Sequence, residues 1–344
     1  MSTFGMQGGF QDIVASSRVR LARNLKGYRF GRQSADTLRE LADKVWDALQ
    51  SAPALAATFT RTEIVPNTAE AQRLVENHTI SPALAQAGGW ALVSADGGVS
   101  IMIGEEDHLR LQVMGAGLCP RECLAEAQRI GTLLESRIPF AFDERLGYLT
   151  ACPTNLGTGL RVSVMLHLPM LTATHAINNV VNWAGRQGCA LRGAFGEGTA
   201  AEGGFYQLSN QITLGMSEEM LCQRLTEMAT QLLESEQKAR QTVREHDEIG
   251  LADRLHRAAG MLLTAHLLST DEAESALSDV LMGLQMGLLT GVTPQAVYAA
   301  MRDLRPASLV IAAGRDLTPR ERDEARATLL RERLGPLWQG LQGS

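Results

Sequence analysis

Lysine is what this chain has least of. Only Lys26, Lys44 and Lys238 occur, which leaves 29 arginines among the 32 cationic residues. An anion bound here would meet planar, forked guanidiniums rather than the single ammonium of a P-loop lysine. A basic excess is also missing, since the formal net charge is −6. That balance argues against the phosphate backbone of nucleic acid as the main partner. Cysteines are few, odd in number and without a C-x-x-C framework, so Cys119, Cys123, Cys152, Cys189 and Cys222 read as reduced thiols. No apolar run reaches the ~18 residues of a membrane span, and the opening MSTFGMQGGF lacks a basic segment followed by an apolar one. The expectation is a cytoplasmic protein without a membrane partner.

What is present is a chain of 344 residues, 45% hydrophobic and 20% charged, long enough for a sizeable core and two domains. It centres on Gly104-Glu105-Glu106-Asp107-His108-Leu109-Arg110, where three adjacent carboxylates run into a histidine and an arginine between two apolar stretches. Beyond it, Leu109, Leu111 and Val113 alternate with Arg110, Gln112 and Met114, the pattern of a half-buried strand. Earlier, Arg18 and Arg20 share one side of residues 13–24 if that segment is extended, with Val19 and Leu21 on the other. On spacing alone the same segment would serve as a solvated edge strand. His78 follows an amphipathic stretch and would equally be a packed or capped histidine. Cys152 stands at the mouth of a turn-rich loop, where a free thiol is as readily inert. Glu197 lies between Gly196 and Gly198 in a loop that lets backbone approach a ligand, or simply turns.

Helices are expected over 35–51 and 68–77, with connections containing alanine and proline between them. From 90 to 215 short strands separated by glycine turns are expected at 90–94, 99–103, 109–114, 146–151, 160–168, 190–195 and 205–214, with helices near 121–137 and 172–187. Along 160–168, Arg161, Ser163, Met165 and His167 share one face, and Val162, Val164, Leu166 and Leu168 the other. From Ser217 onward the pattern is helical. A long polar-rich run extends to about His246, an apolar helix follows near 253–268, and Ser269-Thr270-Asp271-Glu272 forms a capping box. Thr293-Pro294 and Thr318-Pro319 each combine a capping threonine with proline at the first helical position. The fold class is α+β, an antiparallel sheet flanked by helices and followed by an all-helical domain. The boundary is placed between 240 and 241, where charge density peaks.

Five motifs in register over about residues 13–215 resemble the phosphagen (ATP:guanido) kinases, and within them the bacterial protein arginine kinases: Ser16-Ser17-Arg18-Val19-Arg20, the acidic run 104–110, residues 152–161, residues 192–198 and residues 205–210. The resemblance implies a glutamine-synthetase-like sheet, ATP as phosphoryl donor, and Mg2+ held mainly through the phosphates. It makes Glu106 and Glu197 the two carboxylates that engage a substrate guanidinium, and Cys152 the reactive thiol beside it. Arg18, Arg20, Arg110, Arg161 and Arg192 match the arginines that clamp phosphates, and His78 a histidine that contacts the nucleotide. The rest of the nucleotide site would be drawn from Ser16, Ser17, Val19, Val162, Ser163, Val164, Met165, Gly193, Ala194, Phe195 and Gly196. No protein-bound metal is implied.

Departures from the family pattern point to a protein substrate. The kinases of small guanidines carry a helical domain ahead of the first arginine motif, and here Arg18 lies close to the start. That domain is expected to be missing. The family's asparagine before the acidic run is Gly104 and the histidine after the second glutamate is Gly198, so a more open pocket is expected. Near the C-terminus, Arg322, Asp323, Arg326 and Ala327 resemble the motif with which protein arginine kinases sense phosphoarginine. On spacing alone they form an ordinary charged helix. The resulting expectation is an ATP-dependent protein-arginine kinase. Its helical domain would serve homodimerisation and phosphoarginine sensing. By resemblance its partners would be proteins with exposed arginines, a zinc-binding activating adaptor, a stress-response repressor and a Clp ATPase. A kinase of free arginine and a catalytically silent phosphoarginine adaptor remain as alternatives.

Overall fold

The computed structural model describes residues 5–193 and 202–342. In chain order the elements are β1 (Val14–Arg23), α1 (Ala35–Gln50), α2 (Pro53–Ala56), β2 (Phe59–Ile64), α3 (Ala69–Glu76), α4 (Pro82–Ala87), β3 (Gly89–Ser94), β4 (Val99–Ile103), β5 (Leu109–Ala116) and α5 (Pro120–Glu135). The short pair β6 (Phe142–Asp143) and β7 (Gly147–Tyr148) precedes β8 (Leu160–His167), α6 (Pro169–Ala173), α7 (Ile177–Arg186), β9 (Cys189–Gly193) and β10 (Phe205–Asn210). Helices complete the chain: α8 (Glu218–His246), α9 (Glu248–Thr264), α10 (Thr270–Gln285), α11 (Pro294–Asp303), α12 (Pro306–Ala313), α13 (Pro319–Leu334) and α14 (Leu337–Gln342).

Eight strands form one sheet in the order β2-β3-β4-β5-β1-β8-β10-β9, with every neighbouring pair antiparallel. This is the expected α+β architecture. Alternation along the strands sorts the side chains. Val19, Leu21, Leu111, Val113, Val162, Val164 and Leu208 are buried on one face, beneath helices that include α1, α5 and α8. Each such side chain contributes roughly 1.5–3 kcal/mol by leaving water. The opposite face carries the residues of the other parity, and these are largely arginine, serine and glutamine.

A second core gathers Leu255, Leu262, Leu277, Leu281, Val297 and Leu330 from the C-terminal helices, and takes Ala15, Met165 and Phe205 from the sheet unit. Helix α8 runs unbroken across residue 240, giving Leu221, Leu225 and Leu232 to the sheet core while Val243 packs on the helical one.

Several elements differ from their sequence expectations. Residues 146–151 form only the two-residue strand β7, because the backbone beyond it is drawn into a loop, with Leu149 N donating to Ala141 O and Ala151 N to Asp107 Oδ1. Strand β10 ends at Asn210 rather than 214, since the Asn210 side chain takes over ladder positions, accepting from Val162 N and donating to the carbonyls of Leu160 and Ile212. The expected helix 172–187 is two helices, broken where His175 adopts φ +59°. Helix α9 begins at Glu248, capped by Asp247, five residues before the expected start. The edge strand β2 and helix α12 had not been anticipated.

Candidate active site

Pairing register turns scattered arginines into a cluster. Arg18 lies opposite Met114 and Ser163, Arg20 opposite Gln112 and Arg161, Arg110 opposite Ala22, and Arg192 opposite Gln207. Directly opposed residues point to the same face, so all five guanidiniums share it. Arg18 donates from Nη2 to Gln207 Oε1 at 2.6 Å and from Nε to Ser163 Oγ at 3.3 Å, and Arg161 Nη2 donates to Ser209 Oγ at 3.4 Å. These partners are neutral. Nε of both Arg20 and Arg161 has no hydrogen-bond partner. Burial, with the charges of Arg161 and Arg110, pulls the Arg18 guanidinium down to about 10. Burial and the neighbouring arginines lower Arg20 and Arg161 as well, and Glu105 opposes the shift at Arg20. Half-buried like charges facing neutral acceptors form a socket for a multiply charged anion.

Ser16, His78, Met165 and Gln207 line a small pocket beside Arg18. His78 has φ +58°, and its carbonyl accepts from Gln112 Nε2 at 2.7 Å. Burial, then the charges of Arg18 and Arg305, drive its imidazole down to about 3, so the ring is neutral. Other nucleotide-site candidates are not brought to this face by their side chains. Val19, Val162 and Val164 point into the core, and Ser17 Oγ donates to Gly117 O at 2.8 Å while accepting from Cys119 N at 3.0 Å. Gly193 ends β9. Ala194, Phe195, Gly196 and the catalytic candidate Glu197 lie outside the described residues.

The acidic motif forms a tight turn in which each side chain has its own task. Gly104 adopts φ +106°, and a Cβ there would meet Leu38 Cδ2 at 3.0 Å. Glu105 is buried and ion-paired with Arg110 Nη1. Glu106 is exposed, and its Oε1 accepts from Arg110 Nη2 at 3.1 Å and Asn155 Nδ2 at 3.2 Å. Asp107 is buried, with Oδ1 accepting from Asn24 Nδ2 at 2.7 Å and Ala151 N at 2.6 Å. His108 Nδ1 accepts from Leu25 N at 3.0 Å, which assigns the proton to Nε2, 2.9 Å from Arg29 O.

Cys152 directly follows Ala151 and is half-buried, with Sγ 2.9 Å from Thr154 Oγ1. Two contacts therefore tie the cysteine loop to the acidic turn, one through Asp107 and one through Asn155. The guanidinium face ends at an exposed carboxylate and a thiol, an arrangement that could hold an anion at one end and a cationic nucleophile at the other. Among the described residues no group of three or more His, Cys, Asp or Glu could hold a metal ion. Arg18, Arg20 and Arg161, crowded together with Arg110 and bonded where they are bonded to neutral acceptors, fit a polyphosphate. Sequence reasoning left Gln207, Ser209, Asn155 and Asn24 unassigned. For Gln207 and Ser209 the signal was their parity along β10; for Asn24 and Asn155, whose contacts cross between loops, there was none.

In the helical unit, the capping box of Thr318 and Glu321 starts α13. Arg322 Nη1 donates to Leu317 O at 2.9 Å. Arg326 is 1% exposed, donating from Nε to Leu304 O at 3.1 Å and from Nη1 to Leu268 O at 2.6 Å and Asp323 Oδ1 at 2.7 Å. Ala327 is buried. Asp323 and Arg326 are thus brought together, with the Arg326 guanidinium turned inward.

Comparison with known proteins follows the same division. A family model described as ATP:guanido phosphotransferase, C-terminal catalytic domain, matches residues 40–239. Another, described as protein-arginine kinase McsB C-terminal domain, matches residues 248–340. The chain is 41% identical over 331 residues to a protein-arginine kinase of Halothermothrix orenii, covering 95% of each chain. It is 43% identical over 330 residues to that of Moorella thermoacetica, covering 94% of each. Among solved structures, lombricine kinase aligns with a TM-score of 0.58 at 26% identity over 68% of each chain. The duplicated taurocyamine kinase of Schistosoma mansoni with transition-state analogue components aligns at 0.57 and 25%, over 79% of this chain and 44% of that one.

Proposed function

The chain belongs to the protein-arginine kinases of the ATP:guanido phosphotransferase family, and from that membership we propose how its residues move the γ-phosphoryl group of ATP onto an arginine side chain of a protein. A guanidinium with a pKa above about 12 is a poor nucleophile. Glu106 and Glu197 orient it, and one of them accepts the N–H proton as the N–P bond forms and the bond from Pγ to the β-phosphate oxygen breaks, releasing ADP. Cys152 lies against the same guanidinium and tunes its reactivity. Arg18, Arg20, Arg110, Arg161 and Arg192 hold the triphosphate in line with the attacking nitrogen. His78, Ser16, Ser163 and Met165, with Gly193, Ala194, Phe195 and Gly196, contact the nucleotide. Mg2+, carried by the phosphates, supplies further charge neutralisation when bound.

The observation that supports this reading most is the guanidinium face itself, on which Arg18 and Arg161 bond only neutral side chains while Arg110 leads to Glu106 and, beside it, Cys152. The chain divides near residue 240, and the helical unit serves homodimerisation and, through Arg322, Asp323, Arg326 and Ala327, reception of phosphoarginine. That reception requires Arg326 to exchange the carbonyls of Leu268 and Leu304 for phosphate oxygens. An activating adaptor, a stress-response repressor and a Clp ATPase are the proposed partners, in the cytoplasm. No helix among the described residues is long and apolar enough to cross a membrane.

The test is incubation with radiolabelled ATP, Mg2+, an unfolded protein and free arginine, read by mass spectrometry without acid, which would hydrolyse P–N bonds. Label is expected on arginines of the protein. Label confined to free arginine, or ATP binding without turnover, would overturn the reading.

A further inference from the structure

Helix α12 opens without a cap of its own. Arg305 occupies the N-cap and makes no side-chain hydrogen bond there, and Pro306 follows it, so the amides of Ala307 and Ser308 need acceptors from elsewhere. A side chain of the sheet unit provides them. Glu76, the last residue of α3, accepts from Ala307 N through Oε1 at 2.9 Å and from Ser308 N through Oε2 at 3.1 Å, while Ser308 Oγ donates to Oε2 at 3.2 Å. A carboxylate is favoured there both by the exposed amides and by the helix dipole.

His78 stands two residues beyond Glu76, in the pocket with Arg18. Its φ of +58° is an uncommon conformation for a residue with a side chain, and it persists only where the surroundings impose it. On the other side of the contact, the start of α12 is fixed by the helical unit. Leu304 O, just before the N-cap, accepts from the buried Arg326 Nε at 3.1 Å, and Arg305 pairs with Glu274 of α10 at 2.8 Å. The turn carrying His78 is therefore anchored at one end to Gln112 of the sheet and at the other to the helical unit.

We propose that Glu76 is a positioning residue for ATP, through which the helical unit holds His78 in its place in the nucleotide pocket. The inference rests on the nucleotide role assigned to His78 above. Without the carboxylate, the turn at Asn77 and His78 is freed, and ATP must reorder it on binding. The cost falls on nucleotide affinity, while phosphoryl transfer at Glu106 and Cys152 proceeds in bound complexes.

The experiment uses the full chain with Glu76→Gln, Glu76→Ala, His78→Ala and the Glu76→Ala/His78→Ala pair. ATP Kd is measured by calorimetry, and KM for ATP and kcat with an unfolded protein substrate. Loss of a capping interaction of this kind corresponds to about a 5- to 30-fold rise in Kd and KM, with kcat changed by no more than about twofold. Glu76→Gln keeps the size of the side chain and guards against misfolding as the cause. Glu70→Ala, exposed on the same helix, leaves Kd unchanged. The double variant binds ATP no worse than His78→Ala, because both changes remove one effect. Unchanged Kd in Glu76→Gln and Glu76→Ala while His78→Ala weakens binding would overturn the proposal, as would fully additive losses in the double variant. Unchanged Kd in His78→Ala would instead refute the nucleotide role of His78, and the proposal would fall with it.

Discussion

Within four residues, Glu105, Glu106, Asp107 and His108 show how burial assigns different work to similar groups. Glu105 pairs inward with Arg110, Asp107 holds the backbone of Ala151, and Glu106 alone stays exposed. Glu106→Gln keeps shape and removes basicity, so turnover is expected to fall by the ~10²–10⁴-fold typical of general acid–base groups. ATP affinity by calorimetry should persist, because the glutamine oxygen can still accept from Arg110 and the arginines proposed to hold the phosphates remain in place; near-normal turnover would remove Glu106 from the reaction. Cys152 makes a contrasting case. On the proposed role of a tuning group beside the guanidinium it would form no bond to phosphorus, so Cys152→Ser should slow turnover less than Glu106→Gln does, and mass spectrometry of quenched enzyme should show no phosphocysteine. A trapped phosphoryl group on Cys152 would reverse its role. The grouping of Glu105 to His108 was visible in the sequence, but its division was not, since Asn24, Ala151 and Asn155 come from loops whose contacts carry no periodic signal.

Among the elements, strands with clean alternation were legible and their ends were not. The pattern of Leu109 to Met114 and of Leu160 to His167 specified both the strand and the face on which Arg110 and Arg161 lie. Beyond β10 the sequence keeps a strand-like alternation, Gln211-Ile212-Thr213-Leu214, yet the strand stops at Asn210, where a side chain replaces the backbone in the ladder. Edge strand β2 escaped detection because its central residues, Thr60 to Glu63, are polar or partly exposed and carry no apolar alternation. The Asn210 replacement has a measurable consequence. Asn210 is 5% exposed and makes three hydrogen bonds. Asn210→Ala would orphan Val162 N and two carbonyls, and should lower unfolding free energy in urea by about 1–3 kcal/mol. A loss below the error of the extrapolation would mean that water substitutes for the side chain.

At the scale of the whole molecule, a sheet with one apolar and one arginine-rich face is stable on one side and strained on the other. The apolar face provides the core, and the arginine face collects charges that burial and mutual repulsion disfavour. Its outline was legible because each arginine occupied the right parity in its own strand; only the strand order, which sets β1 between β5 and β8, brought Arg18, Arg20, Arg110 and Arg161 together. The sign of the energetics follows from titration. Arg18, Arg20 and Arg161 are lowered below the ordinary guanidinium value, so the folded state binds their protons less tightly than the unfolded chain does. Their burial therefore costs stability at every pH below the folded values, neutral pH included, and this cost is relieved only by strong alkali or by an anion. ATP should then stabilise the fold, by about 2.7 kcal/mol at about 100 times its Kd. Arg20 is the sharpest probe, because its Nε is without a hydrogen-bond partner and its guanidinium is surrounded by Arg18, Arg110 and Arg161. Arg20→Met replaces it with an uncharged side chain of similar reach. In thermal unfolding this variant should melt above the parent protein when no nucleotide is present, and should lose most of the rise that ATP gives the parent. A lower melting temperature without nucleotide would show that Arg20 is held by its surroundings rather than strained by them, and an undiminished response to ATP would place the triphosphate elsewhere.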